Sequence, residues 1–399
     1  MLNSLYLILL ARKQSAGKVA AVDLVMPPPP AAAPQLLLSP EQRELGHALG
    51  RFTVEHWQVR GLLADPRPSG ERIRALWREL DGHLGIAGMT VPTDQGGAGA
   101  GVAELAVVAE QLGRALYPSP LLGTLGLAVP LLAADQRHPD RCALLARIAA
   151  EGLAVAVAHS DNDVRLAPGG HGEPALTGTL HLVADACEAE QLLLVAEDEG
   201  RPTLFAVGLD GPGVRSRRLE ALDRARSYAE VRLERAPAIS LGAVGQAIDQ
   251  ALDVARVVVA ADLLGVSGKA LDLAVEHAGQ RVQFGRVIGS YQAVKHRCAR
   301  MLILIEQTRS LVRNAAWCLD ASQEDLGGQD PHAASLEALW FAADTAVQVT
   351  ADLIRVLGGV GFTWEHEAHL YYRRARASSA LLGTQISRRD ALAASLLPL

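Results

Sequence analysis

Two short segments of this chain carry the residue types that hold a phosphate-bearing ligand with a flat ring. In Arg281-Val282-Gln283-Phe284-Gly285, the arginine offers a fork of donors to phosphate, the phenylalanine a stacking face and Gln283 an amide partner. Tyr291-Gln292-Ala293-Val294-Lys295-His296 follows and adds the amide of Gln292. Farther on, Leu357-Gly358-Gly359-Val360-Gly361-Phe362 removes side chains where backbone must turn or let an anion approach its N–H groups. Each segment has a plainer reading: Arg281 ends a helix and Phe284 joins the core, and the glycines cap a helix finishing at Leu357. Asp253 and Arg256, one helical turn apart, are a further charged pair; as an exposed ion pair they would contribute about 0.2–0.5 kcal/mol. His366 and His369 with Glu365 mimic a metal-ligand spacing, but no other ligand motif accompanies them and no metal is expected.

Pattern also outlines the elements that must position these groups. Ser39-Pro40-Glu41-Gln42 has the residues of a capping box with proline at the first helical position, which predicts a helix over about 40–58. Apolar residues at helical spacing predict two more, over 71–84 (Ile73, Leu76, Trp77, Leu80) and 102–115 (Leu105, Val108, Ala109, Leu112). The stretch Val91-Pro92-Thr93-Asp94-Gln95-Gly96-Gly97-Ala98-Gly99 between them is a loop by composition. From about 153 the texture changes to short β-type runs at 153–158, 176–182, 191–196, 203–207 and 229–233. Helical periodicity returns at about 243 and continues to the end in segments longer than 20 residues. The domains so drawn are a flexible extension 1–38 containing Met26 and Pro27 to Pro30, a helical domain 39–152, a β-domain 153–240 and a helical bundle 241–399.

The 399 residues are 49% apolar, enough for a large core, and only 4% aromatic, so Leu, Val, Ile and Ala must build it. A formal charge of −6, with no Lys or Arg run interleaved with aromatics, argues against a nucleic-acid surface. Cys142, Cys187, Cys298 and Cys318 are widely spaced with no C-x-x-C pair, which suits a reduced, cytoplasmic setting. The apolar run Leu5 to Ala11 falls far short of the roughly 20 residues of a membrane span. No basic residue precedes it as a secretory signal requires.

Helices, a β-domain and then a helical bundle is the order of a known family. With it come Leu76-Trp77, Gly85-Ile86-Ala87-Gly88, Pro92, Gly96-Gly97 and Glu110-Gln111-Leu112-Gly113-Arg114 in the first domain and the two ligand-cradling motifs in the last. Over about residues 39–399 the chain resembles the acyl-CoA dehydrogenases. The resemblance implies a mainly α fold with a central small β-domain: an N-terminal helical domain, a β-barrel-like domain and a C-terminal four-helix bundle. It implies FAD as cofactor, an acyl-CoA thioester as substrate, α,β-dehydrogenation as the reaction, electron-transfer flavoprotein as electron acceptor and a dimer-of-dimers assembly. In that family the two motifs reach FAD from a neighbouring subunit. Carried over, the cofactor positions are Arg281, Gln283, Phe284, Tyr291, Gln292, Arg355, Gly358, Gly359 and Thr384, and the CoA positions are Asp253 and Arg256. The family often has Gln where Arg355 stands.

Chemistry in the family begins when a carboxylate removes the α-proton of the thioester, a contribution of about 10²- to 10⁴-fold in rate. Most members carry that Glu just before a Gly-Thr pair, where this chain has Leu382 ahead of Gly383-Thr384; a second branch carries it at the position of Ala255. Neither side chain accepts a proton. Asp262, two helical turns after Ala255 and facing nearly the same way, is the candidate substitute, and its plainer reading is a helix-surface or intersubunit aspartate. Glu365 and Glu367 read as ordering a turn and a subunit contact. Where the family has Thr-Glu-Pro-Gly-x-Gly-Ser-Asp and a Trp-bearing strand against the flavin ring, this chain has Ala158-His159-Ser160-Asp161-Asn162-Asp163 and Leu180-His181-Leu182-Val183.

Gly361-Phe362-Thr363-Trp364-Glu365-His366 and Tyr371-Tyr372-Arg373-Arg374 are most similar to a subgroup that handles bulky thioesters, including steroid side-chain acids. Several of that subgroup are α2β2 enzymes in which one subunit supplies the base. The resemblance therefore predicts a base-lacking subunit paired with a Glu-bearing homologue. An active homotetramer using Asp262 and a non-enzymatic acyl-CoA-binding scaffold are the alternatives.

Overall fold

The computed structural model describes residues 37–64, 67–158, 163–169 and 174–396. Leu5 to Ala11, Pro27 to Pro30 and His159 to Asn162 lie outside the described residues. Among the described residues six α-helices precede the sheets: α1 Pro40–His56, α2 Gly61–Ala64, α3 Gly70–Leu84, α4 Val102–Arg114, α5 Val129–Ala133 and α6 Pro139–Glu151. Helix α1 begins where its residues dictate, since Gln42 N–H donates to Ser39 Oγ at 3.2 Å and Ser39 N–H donates to the Gln42 side chain at 3.0 Å. Leu76 and Trp77 of α3 are buried, and the indole donates to Gly152 O at 2.9 Å.

Eight strands follow: β1 Val155–Ala158, β2 Asp163–Pro168, β3 Pro174–Ala184, β4 Gln191–Asp198, β5 Arg201–Gly208, β6 Val214–Arg218, β7 Tyr228–Pro237 and β8 Ile239–Ala243. They form two four-stranded sheets, ordered β1-β4-β5-β8 and β2-β3-β7-β6, over a core that includes Leu176, Leu194, Phe205 and Val231. The expectation of a β-barrel-like domain is corrected here, because both sheets end in unpaired edge strands and neither closes. Strands β2, β6 and β8 escape the sequence pattern, and all three are edges. Strand β6 reads Val-Arg-Ser-Arg-Arg, the charged composition by which an edge resists further pairing and which erases apolar alternation.

The last third holds α7 Ala247–Gln280, α8 Gln292–Asp320, α9 Pro331–Leu357, α10 Ala368–Ser378 and α11 Gln385–Leu396. From Val257 to Ser267 every residue of α7 is buried, so this helix forms the centre, with α4, α8 and α9 packed around it. A Cβ at Gly265 would lie 1.9 Å from Glu110 O, and one at Gly113 would lie 2.2 Å from Asp262 O. Helices α4 and α7 thus cross in backbone contact at the turn that carries Asp262. Among the described residues no helix is long and apolar enough to cross a membrane.

Candidate active site and cofactor edge

Helix α7 ends at Arg281, whose N–H closes on His277 O at 2.9 Å. The chain then turns through a minimal hairpin, Val282–Gln283 against Arg286–Val287. Its two-residue turn holds Phe284 at φ +52° and Gly285 at φ +78°, the type I′ geometry that favours Asn-Gly. Phe284 is 93% exposed, which excludes the core reading. An aromatic ring in a left-handed turn and in water opposes both local preference and solvation. Tyr291 supports the hairpin from behind: its hydroxyl donates to Gln283 O at 3.1 Å and its ring lies under the Arg286 guanidinium at 4.0 Å.

Asp352, buried near the end of α9, binds Arg297 of α8 and, at 2.8 Å, Arg355. This ties the helix that follows Gln292 to the helix that precedes Gly358. Gly358 caps α9 at φ +66°, a conformation that suits glycine. Gly361 is needed for packing, since its Cβ would meet Ile354 O at 2.9 Å. Gly359 has neither constraint, because no atom of the chain lies within 4 Å of where its Cβ would be. The open space at Gly359, the exposed Arg355 guanidinium and the exposed Phe284 ring all face away from the interior of the chain. Thr384 is exposed and caps α11, its N–H donating to Ser387 Oγ at 2.8 Å.

Inside the chain the arrangement differs. Ala255 is fully buried, its Cα 3.7 Å from where a Cβ on Gly126 would sit in the π-helical turn Leu122–Ala128. Leu382 is a left-handed leucine at φ +57°, a geometry costing about 1–2 kcal/mol. Its turn is held by buried Arg388, which donates to Gly383 O at 2.6 Å and to Leu381 O. Asp253 and Arg256 are paired, with Asp253 buried and Arg256 half-buried rather than exposed. Ser335 Oγ donates to Asp253 Oδ1 at 2.7 Å and His332 Nδ1 lies 2.9 Å from it.

Asp262 is buried as well, and its partner is an arginine that sequence reasoning passed over. Arg226, from the segment between β6 and β7, places Nη2 3.6 Å from Asp262 Oδ2 and donates from Nη1 to Ser378 Oγ on α10 at 3.2 Å. Beside it Arg374 Nε lies 3.1 Å from Asp223 Oδ2, with both side chains 3% exposed. Burial opposes the Arg226 charge, but Asp262, then Tyr228, Asp223 and Asp185, outweigh it and push the pKa above the ordinary arginine value. The cavity left among Leu112, Tyr117, Leu122, Arg226, Val258 and Asp262 measures about 20 Å³, room for about one water.

Two further carboxyls lie in this cluster. Asp185 accepts from Gly123 N–H at 2.9 Å and Glu188 accepts from Ser227 Oγ at 2.5 Å. Burial raises Asp185 to about 6 against the pull of Arg226, and burial together with Asp185 raises Glu188 to about 8. Unfolded, both titrate near 4. These two groups therefore hold more protons in the folded chain between about pH 4 and pH 8, so the stability they contribute is greatest below that window and falls as pH rises through it. Urea midpoints at pH 5 and pH 8 should show that loss, and Glu188→Gln should reduce the difference; an unchanged difference would remove Glu188 as its source.

A helical domain, two small sheets and a helical bundle in this order make the frame that comparison with known proteins identifies. Residues 39–137 match the acyl-CoA dehydrogenase N-terminal domain and residues 245–397 the acyl-CoA dehydrogenase C-terminal domain. Acyl-CoA dehydrogenase IpdE2 of Mycobacterium tuberculosis is 33% identical over 347 residues, spanning 86% of this chain and 93% of that protein. Among solved structures, a variant of the Tcur3481-Tcur3483 steroid ACAD superposes with a TM-score of 0.72 at 29% identity, covering 89% of this chain and 97% of that one. The ChsE4-ChsE5 complex from Mycobacterium tuberculosis gives 0.75 at 25%, covering 91% and 98%. The chain belongs to the acyl-CoA dehydrogenase family, whose members are FAD-dependent oxidoreductases acting on acyl-CoA thioesters.

Proposed function

We propose that this chain is the base-lacking subunit of a heteromeric acyl-CoA dehydrogenase for bulky, steroid-type thioesters. It lends the Arg281–Phe284 and Gly358–Gly359 edge to FAD held mainly by a Glu-bearing homologous subunit, with electron-transfer flavoprotein as acceptor. The observation that carries this reading is the interior: the family's two base positions are Ala255 and Leu382, and Arg226 with Asp262 occupies the remaining cleft. Similarity to a steroid ACAD and to a two-protein complex supports the substrate class and the heteromer.

When bound, FAD supplies a hydride acceptor for the β-carbon of the acyl chain. The residues of this chain bind and orient. Arg281 and the N–H groups at Gly358 and Gly359 would meet the diphosphate, with Phe284 against the adenine; Arg355 would add charge nearby. Asp253 and Arg256 would line the CoA side of the groove, held by Ser335 and His332. The α-proton has no acceptor at Ala255 or Leu382. The active homotetramer would need Asp262 for that step, yet its buried Oδ2 already faces a guanidinium.

Co-expression with a Glu-bearing homologue should yield a yellow complex holding one flavin per two chains. In it, Arg281→Ala should weaken flavin retention about ten-fold, the loss of one charged hydrogen bond, without lowering the melting temperature. A full complement of one flavin per chain in this protein purified alone would refute the subunit assignment.

A further inference from the structure

We infer that Trp364, Arg224 and Arg373 form a surface site for the phosphate-bearing end of a nucleotide. The inference stands on these side chains alone, whatever the subunit role of the chain. Trp364 follows the glycine turn and is 52% exposed. The Arg224 guanidinium lies 4.4 Å from its ring centroid and that of Arg373 lies 5.0 Å away, while His369 meets the ring edge-on at 4.4 Å. Arg224 comes from the segment between β6 and β7 and Arg373 from α10, so the site spans the β-domain and the bundle.

Its charge is unbalanced. Three of the acids near it are engaged elsewhere, Glu220 with Arg67 at 2.6 Å, Glu367 with Arg60 at 3.8 Å and Asp223 with Arg374 at 3.1 Å, while Glu365, next to Trp364, pairs with neither arginine among the described residues. Among the described residues no carboxylate forms an ion pair with Arg224 or Arg373. Arg224 is accordingly depressed below the usual arginine range, first by burial and then by Arg373 and Arg67. His369 adds no third charge at neutral pH, since burial and the two arginines push it down to about 4. Two guanidiniums held near each other by one indole, without a counterion, match a phosphate or diphosphate, which takes paired donors from planar cations. The indole is taken up by the two guanidiniums, and Phe362, 79% exposed two residues earlier, offers the stacking face for the base.

Calorimetric titration of the whole chain with ADP, adenosine 3′,5′-bisphosphate and FAD tests the site. Binding should weaken about ten-fold in Arg224→Gln and in Arg373→Gln and should fall with added salt. Ligand quenching of tryptophan emission should vanish in Trp364→Phe, a variant that keeps a ring in place. Preference for the bisphosphate points to the end of a CoA thioester as the source, and preference for FAD to a flavin. Absence of binding by all three, or undiminished binding in the Arg224→Gln/Arg373→Gln double variant, overturns the inference.

Discussion

Arg226→Ala should destabilise this chain by about 3–5 kcal/mol, the usual result of removing one member of a buried ion pair. The side chains of Arg226 and Asp262 are each 9% exposed, so the orphaned carboxylate cannot be rehydrated without opening the cleft. Asp185, which draws on the same guanidinium, would lose its nearest compensation too. The urea midpoint at pH 7 measures the loss. A companion variant separates charge from space: Arg226→Met with Asp262→Leu removes both ions and keeps apolar volume, and should recover most of the stability. If Arg226→Ala unfolds at the same midpoint as the parent, the ion cluster does not hold the domains together.

The second large effect is on turnover. The purified chain should show no acyl-CoA dehydrogenation above background, and addition of a Glu-bearing homologue should raise the rate by the 10²- to 10⁴-fold that a positioned base contributes. Glu→Gln at the partner's base should abolish that gain, while Asp262→Asn in this chain should leave the kcat of the folded complex unchanged. Turnover by this chain alone that disappears in Asp262→Asn would sink the subunit reading and establish the homotetramer instead.

Local signals carried far into the fold. The Ser39–Gln42 cap, the apolar spacing of α3 and α4 and the long helices after residue 243 were legible, because each depends on residues within a few turns of one another. Strands β2, β6 and β8 were not, since β6 is mostly charged and β2 and β8 are short runs interrupted by charged residues or glycine, whereas the apolar edge strand β1 was legible. Phe284 and the glycine turn could be singled out by residue type, and their exposure agrees with a role toward another molecule. The plainer reading of Asp253 and Arg256, an exposed pair, failed because only one helix was visible; His332 and Ser335, 79 and 82 residues later, cover Asp253. Arg226 gave no signal at all. Its contact with Ser378 is separated by 152 residues, and one arginine among many has no local pattern to mark it.

Arg226 also has a mechanical consequence. It is anchored in a β-domain segment, yet it grips α7 through Asp262 and α10 through Ser378, while Arg374 and Asp223 repeat the link a few residues away. Rotation of the sheets against the bundle would have to break several dry polar contacts together, so the two bodies move as one. Any opening that admits a bulky acyl group therefore has to come from somewhere other than a hinge between the sheets and the bundle of this chain.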